Sequence, residues 1–267
     1  IENCQIEAVV MNNAIIAGFV AGNNKGLIVN SRTIKDTDTL DYTILENKNG
    51  ENKIDSTSKA NNIYLGGVAG INSGIVSGIR IQSNFTIQGA VITDYKFVEM
   101  IGGLVGYNQS GAEISNSSVE NANLKDFSAN YLYMGGIAGL SNGKIVRCHA
   151  GTQEGGLSLS ITGEIAKGDH LVGGLVGQLS AGAEIYQSFV NGDVKSYMVG
   201  GIGAFVFGDV KECYVKGSLS GEYVGGFAVQ LSLSDKQKVA GNVQDCYIKA
   251  TITGESSTSK VAGVATY

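Results

Sequence analysis

The sequence predicts an all-β fold, a parallel β-solenoid, and three observations predict it. A short glycine-centred motif recurs along the whole chain at uneven intervals. Aligned copies keep the same chemistry column by column. The composition suits strands: 39 Gly, no Pro or Trp and only 16% charged residues, among many Val, Ile, Ser, Thr, Asn and Tyr.

The motif comes first, because internal repeats decide the fold of such a chain. It reads "YLGGVAGINSGIV" from Tyr64, "MIGGLVGYNQSGAEISNSSVE" from Met100, "YMGGIAGLSNGKIVRCHAG" from Tyr133 and "LVGGLVGQLSAGAEIYQSFV" from Leu171. Its second glycine falls at Gly18, Gly67, Gly103, Gly136, Gly174, Gly201, Gly226 and Gly263. The shortest step, Gly201 to Gly226, sets a minimal unit of 25 residues. Longer steps are that unit plus an inserted loop, the mark of a solenoid.

Each part of the unit then has a reading. Around the glycine pair stand apolar residues, such as Leu65 and Val68 or Val172 and Leu175. Paired glycines between β-favouring residues mark a bend, a bulge or a close backbone approach. Next comes an aliphatic column: Ile1, Ile28, Val76, Ile114, Ile145, Ile185, Val210, Val243. Three residues on is a small column: Cys4, Ser31, Ile79, Ser117, Cys148, Ser188, Cys213, Cys246. Two further on is a second aliphatic column that includes Ile81, Val119, Val190 and Val215. On a strand, alternate residues face opposite sides. The two aliphatic columns and the Cys/Ser column are therefore expected to point inward. The mixed column between the last two, Gln5, Arg32, Arg80, Ser118, His149, Phe189, Tyr214 and Tyr247, is expected to point out.

That alignment bears on the one pair that looks like chemistry, Cys148 beside His149. Cys148 occupies a small, buried column and His149 an outward one, so neither a catalytic nor a metal role is expected. The four cysteines are expected to be free thiols. Cys213 and Cys246 lie on neighbouring coils, but parallel in-register side chains are expected to strain a bridge.

"GGLVG" at Gly102 and Gly173, followed by the G-x-I-x-x-C-Y pattern with "CY" at Cys213 and Cys246, resembles the GLUG repeat. That resemblance implies a β-solenoid region of a large bacterial surface or secreted protein, IgA1-specific metallopeptidases among them. It implies no catalytic residue here. The peptidase chemistry of such proteins resides in a zinc domain with an H-E-x-x-H signature, and the only histidines in this chain are His149 and His170.

Other function classes are weakly supported. The net charge is −5 with no basic stripe, which argues against nucleic acid. No apolar run is long enough to span a membrane as a helix. There is no G-x-x-x-x-G-K-[ST] phosphate loop and no G-x-S-x-G nucleophile elbow. Within the Ile34–Asn62 insertion, Asp36, Asp38 and Asp41 have a D-x-D-x-x-D spacing compatible with Ca²⁺. The insertion lacks the remaining EF-hand positions and reads as a solvated loop. The Asn84–Met100 insertion is expected to form an extra hairpin or an extended coil wall, and Leu231–Ala240 a loop. Glycosylation-type triplets begin at Asn84, Asn108 and Asn116. Arg32 and Arg80 have no acidic residue in their own column and read as a solvated face.

The expectation is one domain over 1–267, a segment of a larger protein that opens and stops in mid-repeat. It is a parallel solenoid of about eight coils, right-handed by the crossover rule, and on the order of 35 Å long at roughly 4.8 Å per coil. The function expected is a non-catalytic, extracellular scaffold or docking segment without cofactor or metal, contacting other domains of its parent protein. Two alternatives stay open. One is an adhesin for a host glycoprotein or glycan, using Phe189, Tyr214 and Tyr247 as an outward strip. The other is a β-helical carbohydrate-active enzyme.

Overall fold

The computed structural model describes residues 1, 10–11, 16–29, 52–55, 62–81, 85–89, 98–126, 131–152, 159–164, 169–232 and 240–267. The Asp36/Asp38/Asp41 loop, Cys4, Gln5, Arg32 and Asn84 lie outside them. The described chain is all-β, and its named strands pair in parallel throughout. It winds through four walls, each a sheet whose strands come from successive coils, as the periodic sequence predicts.

Wall one has eight strands: Ile16–Gly18, Ile63–Gly66, Glu99–Gly102, Leu132–Gly135, His170–Gly173, Met198–Gly200, Tyr223–Gly225 and Lys260–Ala262. The glycine pair then turns the chain into wall two, which runs from Ala21–Asn24 to Gly203–Val206. The pair is required by contact. A Cβ on Gly102 would meet the carbonyl of Val105, three residues on in the same turn. A Cβ on Gly103 would meet the carbonyl of Gly136, the equivalent glycine of the next coil. Gly136 stands in the same relation to Gly174, Gly174 to Gly201 and Gly201 to Gly226. The glycines thus form a column in which backbone packs on backbone.

Wall three, from Leu27–Val29 to Asn242–Gln244, carries the first aliphatic column, and Ile28, Val76, Ile114, Ile145, Ile185 and Val210 are all buried. The outermost members are not: Ile1 is 56% exposed and Val243 half-buried, because each has a described coil on one side only. Wall four carries the outward column and the second aliphatic one. In the middle coils wall four is made of two short strands split by a loop, such as His149–Ala150 and Leu159–Gly163. In later coils no loop intervenes, and the two pieces fuse into Phe189–Lys195, Tyr214–Gly221 and Tyr247–Gly254. Phe85–Gln88, from the apolar insertion, is a wall-four strand between Asn52–Asp55 and Ala122–Asp126, so the coil-wall expectation holds there. At the other insertion, Ser232 and Ala240 form an isolated antiparallel bridge.

One expectation needs correcting. The inward columns do not lie on a single strand. Between walls three and four the chain turns at Gly78, Asn116, Arg147, Gln187, Glu212 or Asp245, each with φ between 49° and 67°. This left-handed residue lies between the aliphatic and Cys/Ser columns. It explains their three-residue spacing, which simple alternation does not produce. Such a conformation costs a non-glycine residue about 1–2 kcal/mol. The cost is offset by a coil-to-coil bond: the Arg147 N–H reaches the Tyr186 carbonyl at 2.9 Å and the Gln187 N–H that of Lys211 at 3.0 Å.

Polar groups inside the rod are paired along its axis. At the end of wall two, the Asn24 amide donates to Asn72 Oδ1 and the Asn72 amide to Asn108 Oδ1, both at 2.9 Å. Asn108 in turn donates to Ser141 Oγ at 3.1 Å. The next coils replace this ladder with buried Leu179 and Val206. Asn108 is fully buried and fully engaged, which removes its triplet as a glycosylation acceptor. Asn116 is exposed at its corner.

Candidate functional site

The Cys/Ser column sits just past the left-handed corner, and its chemistry is more specific than small size. Ser188 Oγ donates to the Tyr186 carbonyl at 2.9 Å and accepts the Cys148 N–H of the preceding coil at 3.1 Å. Ser117 does the same, with Ser115 O at 2.7 Å and the Ile79 N–H at 3.0 Å. A hydroxyl or thiol here caps a backbone N–H that the turn would otherwise leave buried without a partner. Cys148 is 1% exposed, and burial pushes its thiol up to about 12. That is the opposite of what a nucleophile or metal ligand needs. Its neighbour His149 points outward as the alignment expects, so the two side chains leave the strand on opposite faces.

The outward column is a stack. The His149 and Phe189 rings lie 4.6 Å apart at 3°, and the Phe189 and Tyr214 rings 4.5 Å apart at 4°. Both spacings match the distance between adjacent strands, so in-register pairing alone brings the rings together. Tyr247 continues the register beside Tyr214. His149, Phe189 and Tyr214 are half-buried, whereas Tyr247 is 57% exposed. Lys216 Nζ lies 5.3 Å from the Tyr214 ring centroid, a cation–π distance. The two faces of Phe189 are occupied by its neighbours. The ladder therefore presents mainly ring edges outward.

At the other end of the column the solvated-face reading of Arg80 fails. Arg80 grips Glu120 of the next coil with two hydrogen bonds, Nε to Oε1 at 2.6 Å and Nη2 to Oε2 at 3.2 Å. Glu120 is 3% exposed and also accepts Ser118 Oγ at 3.3 Å. His149 Nε2 lies 3.5 Å from the same Oε1. The residue after the second aliphatic column thus supplies the acid that the outward column itself lacks. The sequence signal was a glutamate beside Val119, matched at that place only by Glu7 in the first copy.

His170 is fully buried in wall one, with Nδ1 accepting the Glu164 N–H at 3.1 Å. Among the described residues there is no group of three or more His, Cys, Asp or Glu side chains placed to hold a metal. Among them, too, no helix is long and apolar enough to cross a membrane. The outward strip expected from Phe189, Tyr214 and Tyr247 is thus one register column. His149 and Arg80, from the same outward column, stand in line with it, and the structure adds Glu120 and Lys216 beside them.

A family model of the GLUG motif matches residues 98–124, which run from wall one of one coil through walls two and three into wall four. No curated protein and no solved structure matches the chain.

Proposed function

We propose that this chain is a non-catalytic scaffold or docking segment of a bacterial surface or secreted protein, possessing no reaction centre of its own. The GLUG motif at residues 98–124 supports that setting, and we extend the proposal to an IgA1-peptidase-like parent. One observation carries the reading. The chemistry that recurs from coil to coil, the glycine pair, the aliphatic columns and the Ser/Cys caps, is spent on contacts between coils. What faces outward changes from copy to copy. A rod built on nearest-neighbour contacts tolerates a change in length.

The test duplicates residues 202–226, one minimal coil. The longer chain should stay folded with an unchanged or higher denaturation midpoint, and its maximum dimension by small-angle scattering should grow by about 4.8 Å. Loss of cooperative folding would reject the scaffold reading.

The His149–Phe189–Tyr214 stack favours a second reading, an adhesin contacting a host glycoprotein or glycan. Aligned aromatics with Lys216 beside them make a strip of the kind interaction sites use. Phe189→Ala with Tyr247→Ala should then abolish capture of immobilised host glycoprotein while leaving the fold intact. Undiminished capture would dismiss the strip.

A further inference from the structure

Two of the caps in the Ser/Cys column differ from the rest. Elsewhere a cysteine has serine neighbours, as Cys148 does with Ser117 and Ser188 on the adjoining coils. Cys213 and Cys246 are neighbours of one another. Their flanking strands are paired on both sides, Lys211 with Gln244 and Tyr214 with Tyr247, so the two thiols face the same interior in register. The cap geometry directs the Cys246 sulfur at the backbone of Cys213. Cys246 Sγ accepts the Cys213 N–H at 3.4 Å, just as Ser188 Oγ accepts the Cys148 N–H. Their exposure differs: Cys213 is 2% exposed, whereas Cys246 is half-buried. Both thiols are free in this structure.

We propose that Cys213 and Cys246 form a dithiol modification site that takes low-molecular-weight disulfides as its substrate and closes into a coil-to-coil disulfide. Cys246 is the attacking sulfur, because it is the accessible one and because the Cys213 N–H is directed at it. Hydrogen bonding with Cys213 lowers its thiol to about 7, whereas the same pairing and burial raise Cys213. Cys213 is the resolving sulfur.

The chemistry balances with a disulfide RS–SR as the oxidant. The Cys246 thiolate attacks one sulfur of RS–SR, the S–S bond breaks, and RS⁻ leaves and takes up a proton from solvent. Cys246 now carries a mixed disulfide. Cys213 then attacks the Cys246 sulfur and hands its proton to the second departing RS⁻. Two protein thiols lose two electrons and two protons, and one RS–SR becomes two RSH. The route is ordinary thiol–disulfide exchange, favoured by an attacking thiol with a pKa near ambient pH. Such closure would join the coil holding Asp209–Lys211 and Tyr214–Gly221 to that holding Asn242–Gln244 and Tyr247–Gly254. It would overturn the expectation that strain keeps these thiols apart.

The test uses the full chain and oxidised glutathione at neutral pH, followed by intact mass and peptide mapping. The wild-type protein should lose the mass of two hydrogens, mapped to a Cys213–Cys246 bridge. Cys213→Ser should stop at one glutathione adduct on Cys246, and Cys246→Ser should give neither bridge nor adduct at Cys213. Both variants should fold, because serine fills the same position at Ser117 and Ser188. Cys246 should react at least about a hundredfold faster than Cys148. An unchanged wild-type mass would overturn the proposal. So would a wild-type protein that halts at a stable adduct, a Cys213→Ser variant that takes up no glutathione at Cys246, or comparable labelling of Cys148.

Discussion

Removing one hydroxyl, that of Ser188, distinguishes two meanings of the Cys/Ser column. If the column needs only a small buried side chain, Ser188→Ala should cost almost nothing. The structure says otherwise. Ser188 is 1% exposed, and its Oγ is the acceptor for the Cys148 N–H at 3.1 Å. Alanine leaves that N–H buried and unpaired, a loss of about 1–3 kcal/mol. The Tyr186 carbonyl is less affected, because it still accepts the Arg147 N–H at 2.9 Å. The expected cost of Ser188→Ala is therefore about 2 kcal/mol, nearly all from one amide. Ser188→Cys should cost less than about 1 kcal/mol, because a sulfur can take the same N–H and the side chain stays small. Cys246 does this for Cys213 at 3.4 Å. Urea denaturation of the three proteins, followed by circular dichroism, measures both differences. If alanine and cysteine behave alike, within about 0.5 kcal/mol of wild type, the capping argument is wrong and size alone governs the column.

Four further outcomes follow from the same geometry. Gly174→Ala should lower stability by at least about 3 kcal/mol, since its Cβ would meet the Gly201 carbonyl, and backbone there has little freedom to shift; thermal melting checks it. Arg147→Gly should be neutral or stabilising by about 1 kcal/mol, whereas Arg147→Val should be clearly destabilising, because its φ is 51°; a pair of urea curves decides. Native protein should resist alkylation at Cys148, as quantified by mass spectrometry with and without denaturant, because the thiol is buried and raised to about 12. The last outcome concerns alkaline pH. A raised thiol means that the folded state holds a proton which the unfolded state gives up near its ordinary value of 9.0, so stability is present below that pH and is lost as pH rises toward 12. Wild type should lose about 1.4 kcal/mol per pH unit more than Cys148→Ser across that window, and parallel pH profiles for the two would contradict it.

The columns were legible in the sequence because side-chain chemistry repeats there. Val76, Ile114, Ile145 and Ile185 announce a shared inward position without any coordinate. The corners were not legible, because Asn116, Arg147, Gln187 and Glu212 share a backbone conformation and no side-chain chemistry. Each is exposed, and the conformation is imposed by the coils above and below rather than by local preference. The Asn24–Asn72–Asn108 ladder was visible in principle, as the residue closing "AGNN", "AGIN" and "VGYN". It goes unnoticed because an asparagine near a glycine reads first as a turn residue. The outward stack of Phe189 and Tyr214 follows from register. The Arg80–Glu120 pair does not, since only the first copy, with Glu7, also has an acid at that place and the partner lies forty residues away.

The glycine column also constrains how such a chain can change its length. Gly136 answers to the carbonyl of Gly174, and Gly174 to that of Gly201; neither answers to the loops between them. A recombination event that adds or removes a whole copy sets one glycine against another glycine carbonyl again, and the join is sterically silent. A breakpoint out of phase sets a side chain against that carbonyl and is rejected at once. Loop sequence and copy number are thereby free to drift, while the phase of the repeat is proofread by the backbone itself.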